Sequence, residues 1–140
     1  MTLKVQKVDT WVVPLEDKPG SLASKLSALA DAGASLEFVL ARRAPDKPGT
    51  GVLFVTPIAG AAQCRAAEAA GFRKTKNLHA LRIEGPDKKG EGARIARALA
   101  EKQLNVRGLS AATIGKRFLV HLAVDSPADV AKAGRILRAL

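Results

Sequence analysis

The chain has 140 residues, 47% of them hydrophobic and 26% charged, with a formal net charge of +10 at neutral pH. That balance excludes disorder and supplies enough apolar material for one domain or two small ones. A single cysteine, Cys64, excludes an internal disulfide and fits a reducing compartment, with the cytoplasm as the default.

The first strand-like segment is Leu3-Lys4-Val5-Gln6-Lys7-Val8, within residues 2–8. Lys4 and Lys7 are followed by no continuous apolar run, so neither a signal peptide nor an anchor is expected. Trp11, Val13 and Leu15 alternate, the pattern of a strand ending at the Asp17 turn. Pro19-Gly20-Ser21 then opens a segment with Leu22, Leu26, Leu29 and Ala30 at i, i+4, i+7 and i+8, an apolar helical stripe that faces a sheet. Gly33 is placed to stop that helix from the left-handed region.

Ser35 to Ala41 and Val52 to Thr56 read as a hairpin across "APDKPGTG", in which Asp46-Lys47-Pro48-Gly49 is a turn. The weakly polar stretch from Gly51 to Ala62 is about a dozen residues broken by Pro57, short of the roughly 20 a membrane span needs. Ala61 to Ala70 is an Ala-rich helix closed by Gly71, and Phe72 to Lys76 is a candidate strand directly after it.

From here the chain repeats itself. Asp87-Lys88-Lys89-Gly90 falls 70 positions after Asp17-Lys18-Pro19-Gly20. At that offset Ala23 meets Ala93, Leu29 meets Leu99, Ala30 meets Ala100, Leu36 meets Val106, and Trp11 and Val13 meet Leu81 and Ile83. A unit of that length exceeds the roughly 20–50 residues of a solenoid repeat and suits a small α+β unit with one apolar face to cover. The second copy places Leu81 and Ile83 on a strand, Ile95, Ala96 and Leu99 on a helix, Val106 to Ala112 and Phe118 to Val124 on a hairpin, and Pro127 to Leu140 on a final helix. It ends one strand short of the first copy, and the spare strand is the one at residues 2–8. The expectation is two units, 1–76 and 77–140, with the N-terminal strand completing the second and closing the duplication into a ring.

Charge is unevenly shared: residues 1–70 hold 8 Lys/Arg and 7 Asp/Glu, whereas residues 71–140 hold 15 and 6. Arg73, Lys74, Lys76, Arg94 and Arg97 contribute, and Lys132, Arg135 and Arg138 are spaced to share one helix face. A solvated face is the simplest reading, with a polyanion or an acidic protein partner as the alternatives.

The segment "LEDKPGSLASKLSALADAGASLE" resembles the strand-loop-helix opening of the ACT domain, and "GPDKKGEGARIARALAEKQLNVRGLSA" is a weaker second match. The second match replaces the proline by Lys89, puts Gly92 in the helix, where it costs about 1 kcal/mol against Ala, and carries Gln103 where the stop glycine would be. The resemblance implies tandem ferredoxin-like βαββαβ units of the α+β class, with antiparallel sheets and helices on one face. It implies an amino acid as ligand, a metabolic enzyme as the allosterically regulated partner, and pairing as a dimer.

Such a loop has a physical rationale of its own: Gly20 lets a ligand approach the backbone, and the following helix directs N–H groups and a partial positive charge at it. The dipole contributes only about 0.3–1 kcal/mol when exposed, so other contacts are needed. In ACT domains the ligand commonly lies between paired modules, at the strand-to-helix loop of one and the start of the second strand of the other. Carried over by position, the better site joins Asp17, Gly20, Ser21 and Leu22 to Asn105 and Val106. The weaker one joins Asp87, Gly90 and Glu91 to Ser35 and Leu36, and Glu91 there repels a carboxylate. Against these stand structural readings, in which Gly20 serves backbone geometry and Asp17 caps the helix.

Catalytic constellations are thin. Cys64 sits among helical alanines, His79 and His121 sit in apolar strands, no metal-ligand spacing exists, and no phosphate-cradling or dinucleotide loop appears, so no enzyme and no cofactor are expected. The competing class is a basic ferredoxin-like nucleic-acid module, for which "GKRFLVHL", residues 115–122, presents a single aromatic, Phe118. A third is a regulatory subunit without a ligand, docked on an acidic enzyme.

Overall fold

The computed structural model describes residues 3–140; position 2 of the expected N-terminal strand lies outside the described residues. In chain order the elements are β1 (Lys4–Val8), β2 (Trp11–Glu16), α1 (Ser21–Asp31), β3 (Phe38–Arg43), β4 (Thr50–Thr56), α2 (Gly60–Ala69), β5 (Arg73–Lys74), β6 (His79–Pro86), α3 (Glu91–Glu101), β7 (Gly108–Ile114), β8 (Arg117–Val124) and α4 (Pro127–Arg138). They form two units: Asp9–Thr75, and the N-terminal strand together with Lys76–Leu140.

In the first unit the sheet order is β3-β4-β2-β5, and every pairing is antiparallel. In the second it is β1-β6-β8-β7, again antiparallel throughout. Each is the strand order of a ferredoxin-like βαββαβ unit, and in the second the fourth strand is supplied by β1. Val5 lies opposite Ile83 and Lys7 opposite Leu81, so the N-terminal strand completes the C-terminal sheet as the repeat requires. An arginine fastens it there: Arg138 Nη2 donates to the Val5 carbonyl at 3.1 Å.

The helices cover one face of each sheet because the strands alternate. Along β8, Phe118, Val120, Leu122 and Val124 point into a cluster with Ile95 and Leu99 of α3 and Val130, Ala133 and Leu137 of α4, to which β1 adds Val5. The first unit buries Trp11 and Val13 of β2, Leu53 and Val55 of β4, Leu29 of α1, Ala67 of α2 and Phe72. The expected stripe on α1 is narrower than its spacing suggests: Leu29 is buried, Leu26 is half-buried, and Leu22 and Ala30 are exposed.

Helix ends follow the glycine signals. Gly33 has φ 85°, its N–H donates to Ala30 O at 2.9 Å, and Ala34 N–H reaches back to Leu29 O at 3.1 Å. That pair of bonds is a Schellman cap. Gly71 closes α2 the same way, with Phe72 N–H on Ala67 O at 2.9 Å, and Lys25 Nζ donates to the Ala70 carbonyl at 2.6 Å. α3 makes the identical cap without a glycine: Gln103 adopts φ 60°, and Leu104 N–H donates to Leu99 O at 3.0 Å.

Strand boundaries differ from the sequence reading. β3 and β7 start at Phe38 and Gly108 and extend to Arg43 and Ile114, two to three residues later than the expected 35–41 and 106–112. The residues skipped, 35–37 and 106–107, carry the chain from the helix cap to the sheet. β5 shrinks to two residues, opposite Trp11 and Val12.

Candidate functional site

The β2–α1 loop is built by a left-handed glycine. Gly20 has φ 91° and forms the N-cap of α1, no side chain caps the helix, and its carbonyl accepts from Ser24 N–H at 2.9 Å. Left-handed backbone is cheap for glycine alone, and it lets the chain turn abruptly from strand to helix. Asp17, read as a possible cap, does not serve as one: its carboxylate accepts from Arg43 Nε at 2.9 Å, and its own N–H donates to the Gly49 carbonyl at 3.0 Å. Ser21 N–H donates back to Lys18 O at 3.4 Å, and the N–H groups of Leu22 and Ala23 are left to water or a ligand.

A cleft of about 200 Å³ opens at this point, lined by Asp17, Lys18, Ser21, Leu22, Arg43 and Gly51 together with Leu15, Glu16, Ala41 and Arg42. Three of the expected residues, Asp17, Ser21 and Leu22, thus share one wall, and Gly20 shapes the turn between them. Leu22 is 38% exposed because it faces the cleft and not the core. Lys18 donates to Glu16 at 2.7 Å; this hydrogen bond first, and charge attraction second, hold Glu16 below the usual carboxylate range and Lys18 above its usual value.

The sequence reading missed Arg42, Arg43 and Gly51. Its strand ended at Ala41 and assigned neither arginine to an element, whereas β3 continues to Arg43. In the sheet Leu15, Gly51 and Arg43 form one cross-strand row, so Arg43 lies on the helix side at the mouth of the loop. Gly51 is required: a Cβ there would lie 2.8 Å from the Arg42 carbonyl oxygen. A basic pair beside a glycine-flanked turn was the available signal.

The equivalent loop of the second unit is arranged differently. Gly90 again is a left-handed N-cap, with φ 76°. Glu91, the first residue of α3, is only 4% exposed, and its carboxylate binds Arg94 Nε at 2.6 Å. A cleft of about 320 Å³ beside it is lined by Lys88, Lys89, Gly90, Glu91, Arg94 and Leu140. Asp87 is not among these, although its N–H ties the loop to Lys116 O at 2.9 Å.

Asn105 and Val106 lie between α3 and β7 in the second unit, and Ser35 and Leu36 lie between α1 and β3 in the first. Each pair therefore precedes its strand instead of beginning it. Cys64 packs against the core of the first unit, and among the described residues no group of three metal-ligating side chains forms. Phe118 points into the core at 8% exposure, so the strand over 115–122 offers no stacking ring. Part of the basic surface is engaged internally: Arg107 pairs with Asp125 at 3.6 Å, Arg117 with Glu84 at 3.4 Å, and Arg138 with the β1 backbone. Among the described residues no helix is long and apolar enough to cross a membrane.

No protein-family model and no curated protein matches the sequence. Solved structures do match. Protein BT0572 from Bacteroides thetaiotaomicron superposes with a TM-score of 0.78 at 16% identity, over 96% of this chain and 89% of that one. The ligand-free regulatory subunit of aspartate kinase from Thermus thermophilus gives 0.66 at 17% identity, over 99% and 94%. The aspartate kinase of Clostridium acetobutylicum, an allosteric enzyme, gives 0.62 at 18% identity, over 96% of this chain and 33% of the enzyme. The fold is that of tandem ACT-like units.

Proposed function

We propose that the chain is a non-catalytic regulatory protein that binds a small carboxylate ligand, an amino acid, at the β2–α1 loop of its first unit. The observation that carries this reading is the cleft in which the uncapped start of α1, the Gly20 turn and the Arg43 guanidinium converge. Its volume of about 200 Å³ lies below the roughly 300–1,000 Å³ of pockets for drug-sized ligands and suits a ligand of amino-acid size. Arginine presents a planar fork matched to a carboxylate, and the helix start favours the same charge. The Asp17–Arg43 pair that occupies this guanidinium is solvent-exposed, and exposed pairs hold by only about 0–1 kcal/mol. A ligand carboxylate displaces it at little cost.

Likeness to a regulatory subunit of aspartate kinase supports regulation of an enzyme as the role. The second unit, with 15 Lys/Arg against 6 Asp/Glu, favours a partner with an acidic surface. Burial of Phe118 leaves the nucleic-acid alternative with charge alone. Salt-sensitive retention on single-stranded nucleic acid would reverse that ordering.

Trp11, the chain's one tryptophan, lies in the core of the first unit and reports on it selectively. An amino acid at about 100 times its Kd stabilises the unit by about 2.7 kcal/mol, a rise of several degrees in the Trp11 melting midpoint. Arg43→Ala weakens that ligand at least about tenfold, the cost of one charge-assisted hydrogen bond. A flat Trp11 response to every proteinogenic amino acid ends the proposal.

A further inference from the structure

We propose that Glu91 is a built-in occupant: its carboxylate fills, in the second unit, the place that the first unit leaves open to a ligand carboxylate, so the chain takes one such ligand and not two. The inference rests on the reading of the first-unit cleft given above.

The two loops are equivalent in sequence and in backbone, with Gly20 and Gly90 both left-handed and both N-caps. They differ in what stands behind the glycine. In the first unit the next residue is Ser21, half-exposed on the cleft wall; at the same offset the second unit has Glu91, almost wholly buried. A buried carboxylate is retained only where cations and donors compensate its lost hydration. Arg94, one helical turn on, supplies the cation at 2.6 Å, and the start of α3 supplies a favourable dipole. Arg94 stands where the first copy has Ser24, and Thr113 of β7 stands where the first unit has Arg43. The guanidinium has moved from the strand to the helix, beside an internal acid.

The floor of the loop has changed with it. In the first unit the cross-strand row reads Leu15, Gly51, Arg43, and Gly51 lines the cleft without a side chain. In the second the row reads Gly85, Phe118, Thr113, with the Phe118 ring buried at the same point. Glu91 thus supplies the carboxylate charge from within and Phe118 covers the floor of the row, while the cleft of about 320 Å³ that remains beside Glu91 is lined by Lys88, Lys89 and Arg94.

The test is chemical rescue in the full chain. Glu91→Ala deletes a CH₂–COO⁻ group, which acetate replaces nearly atom for atom, and Glu91→Gly pairs likewise with propionate. Melting is followed by far-ultraviolet circular dichroism, and α3 amide exchange localises the effect. Titration is with sodium acetate against sodium chloride at equal ionic strength. The expected result is a melting point for Glu91→Ala lowered by several degrees and raised again by acetate but not chloride, with slowed exchange in α3 and no acetate-specific change of α3 exchange in the wild type. Glu91→Gln, which keeps the volume and removes the charge, is expected to show no rescue. Absence of any acetate-over-chloride gain in the Ala and Gly variants, or an equal slowing of α3 exchange by acetate in the wild type, overturns the proposal. Should either variant fail to fold, Glu91→Ser, the first unit's own choice, carries the same test. Failure of the first-unit reading shows separately, as a flat Trp11 response to amino acids in the wild type.

Discussion

Gln103 is the residue at which the second copy parts from the first most sharply in backbone terms. It holds the C′ position of α3 at φ 60°, the place Gly33 holds for α1. A side chain in the left-handed region costs about 1–2 kcal/mol, and glycine returns part of that as unfolded-state entropy. Gln103→Gly is therefore expected to stabilise the second unit by about 0.5–1 kcal/mol, read as a higher urea midpoint at unchanged slope. No gain, or a loss, would mean that the glutamine side chain contributes a contact worth the strain. The stop at 103 was visible in the sequence only as a missing glycine. What replaces it is the Leu104–Leu99 hydrophobic contact across the cap, which belongs to packing and not to local composition.

Element positions were largely legible because periodicity is a property of the chain. Twelve elements follow from alternation, the helical stripes and the glycine stops, and their order follows from the repeat. The ends of β3 and β7 were not legible, since the register of a sheet decides them and the pattern of residues 38–43, half-exposed or exposed throughout, carries little alternation. That error hid the cleft's arginines. Gly51 is the element-scale test of the corrected register: Gly51→Ala puts a Cβ against the Arg42 carbonyl oxygen and forces β3 away from β4. The expectation is a loss of about 1–3 kcal/mol in the Trp11-monitored unfolding of the first unit and a weakened amino-acid response. A wild-type midpoint for this variant would show that β3 does not close on β4 at that row.

At the scale of the whole molecule the duplication is threaded through itself: the fourth strand of the second unit comes from the start of the chain. Leu3 and Val5 are buried in the second unit's core, opposite β6. Leu3→Ala with Val5→Ala removes two buried side chains at about 1–3 kcal/mol or more each, and is expected to raise hydrogen exchange across β6 and β8 while amides of β2 and β4 keep their protection. Exchange rising in the first unit alone would contradict the pairing.

The sequence by itself determined the repeat, the αβ order, the helix stops and the glycine at the loop, because these are written as local spacing and as backbone freedom. It also pointed to β1 as the missing strand, by counting. Only the tertiary structure decided what stands around each Asp-Lys-x-Gly turn. Arg43 reaches the first turn through strand register, and Gly51 lines the cleft there without a side chain. At the second turn Glu91 and Phe118 are buried. Register and burial join residues far apart in the chain, so two turns alike in letters come to stand in different surroundings, one beside the Arg43 guanidinium and one beside a buried carboxylate.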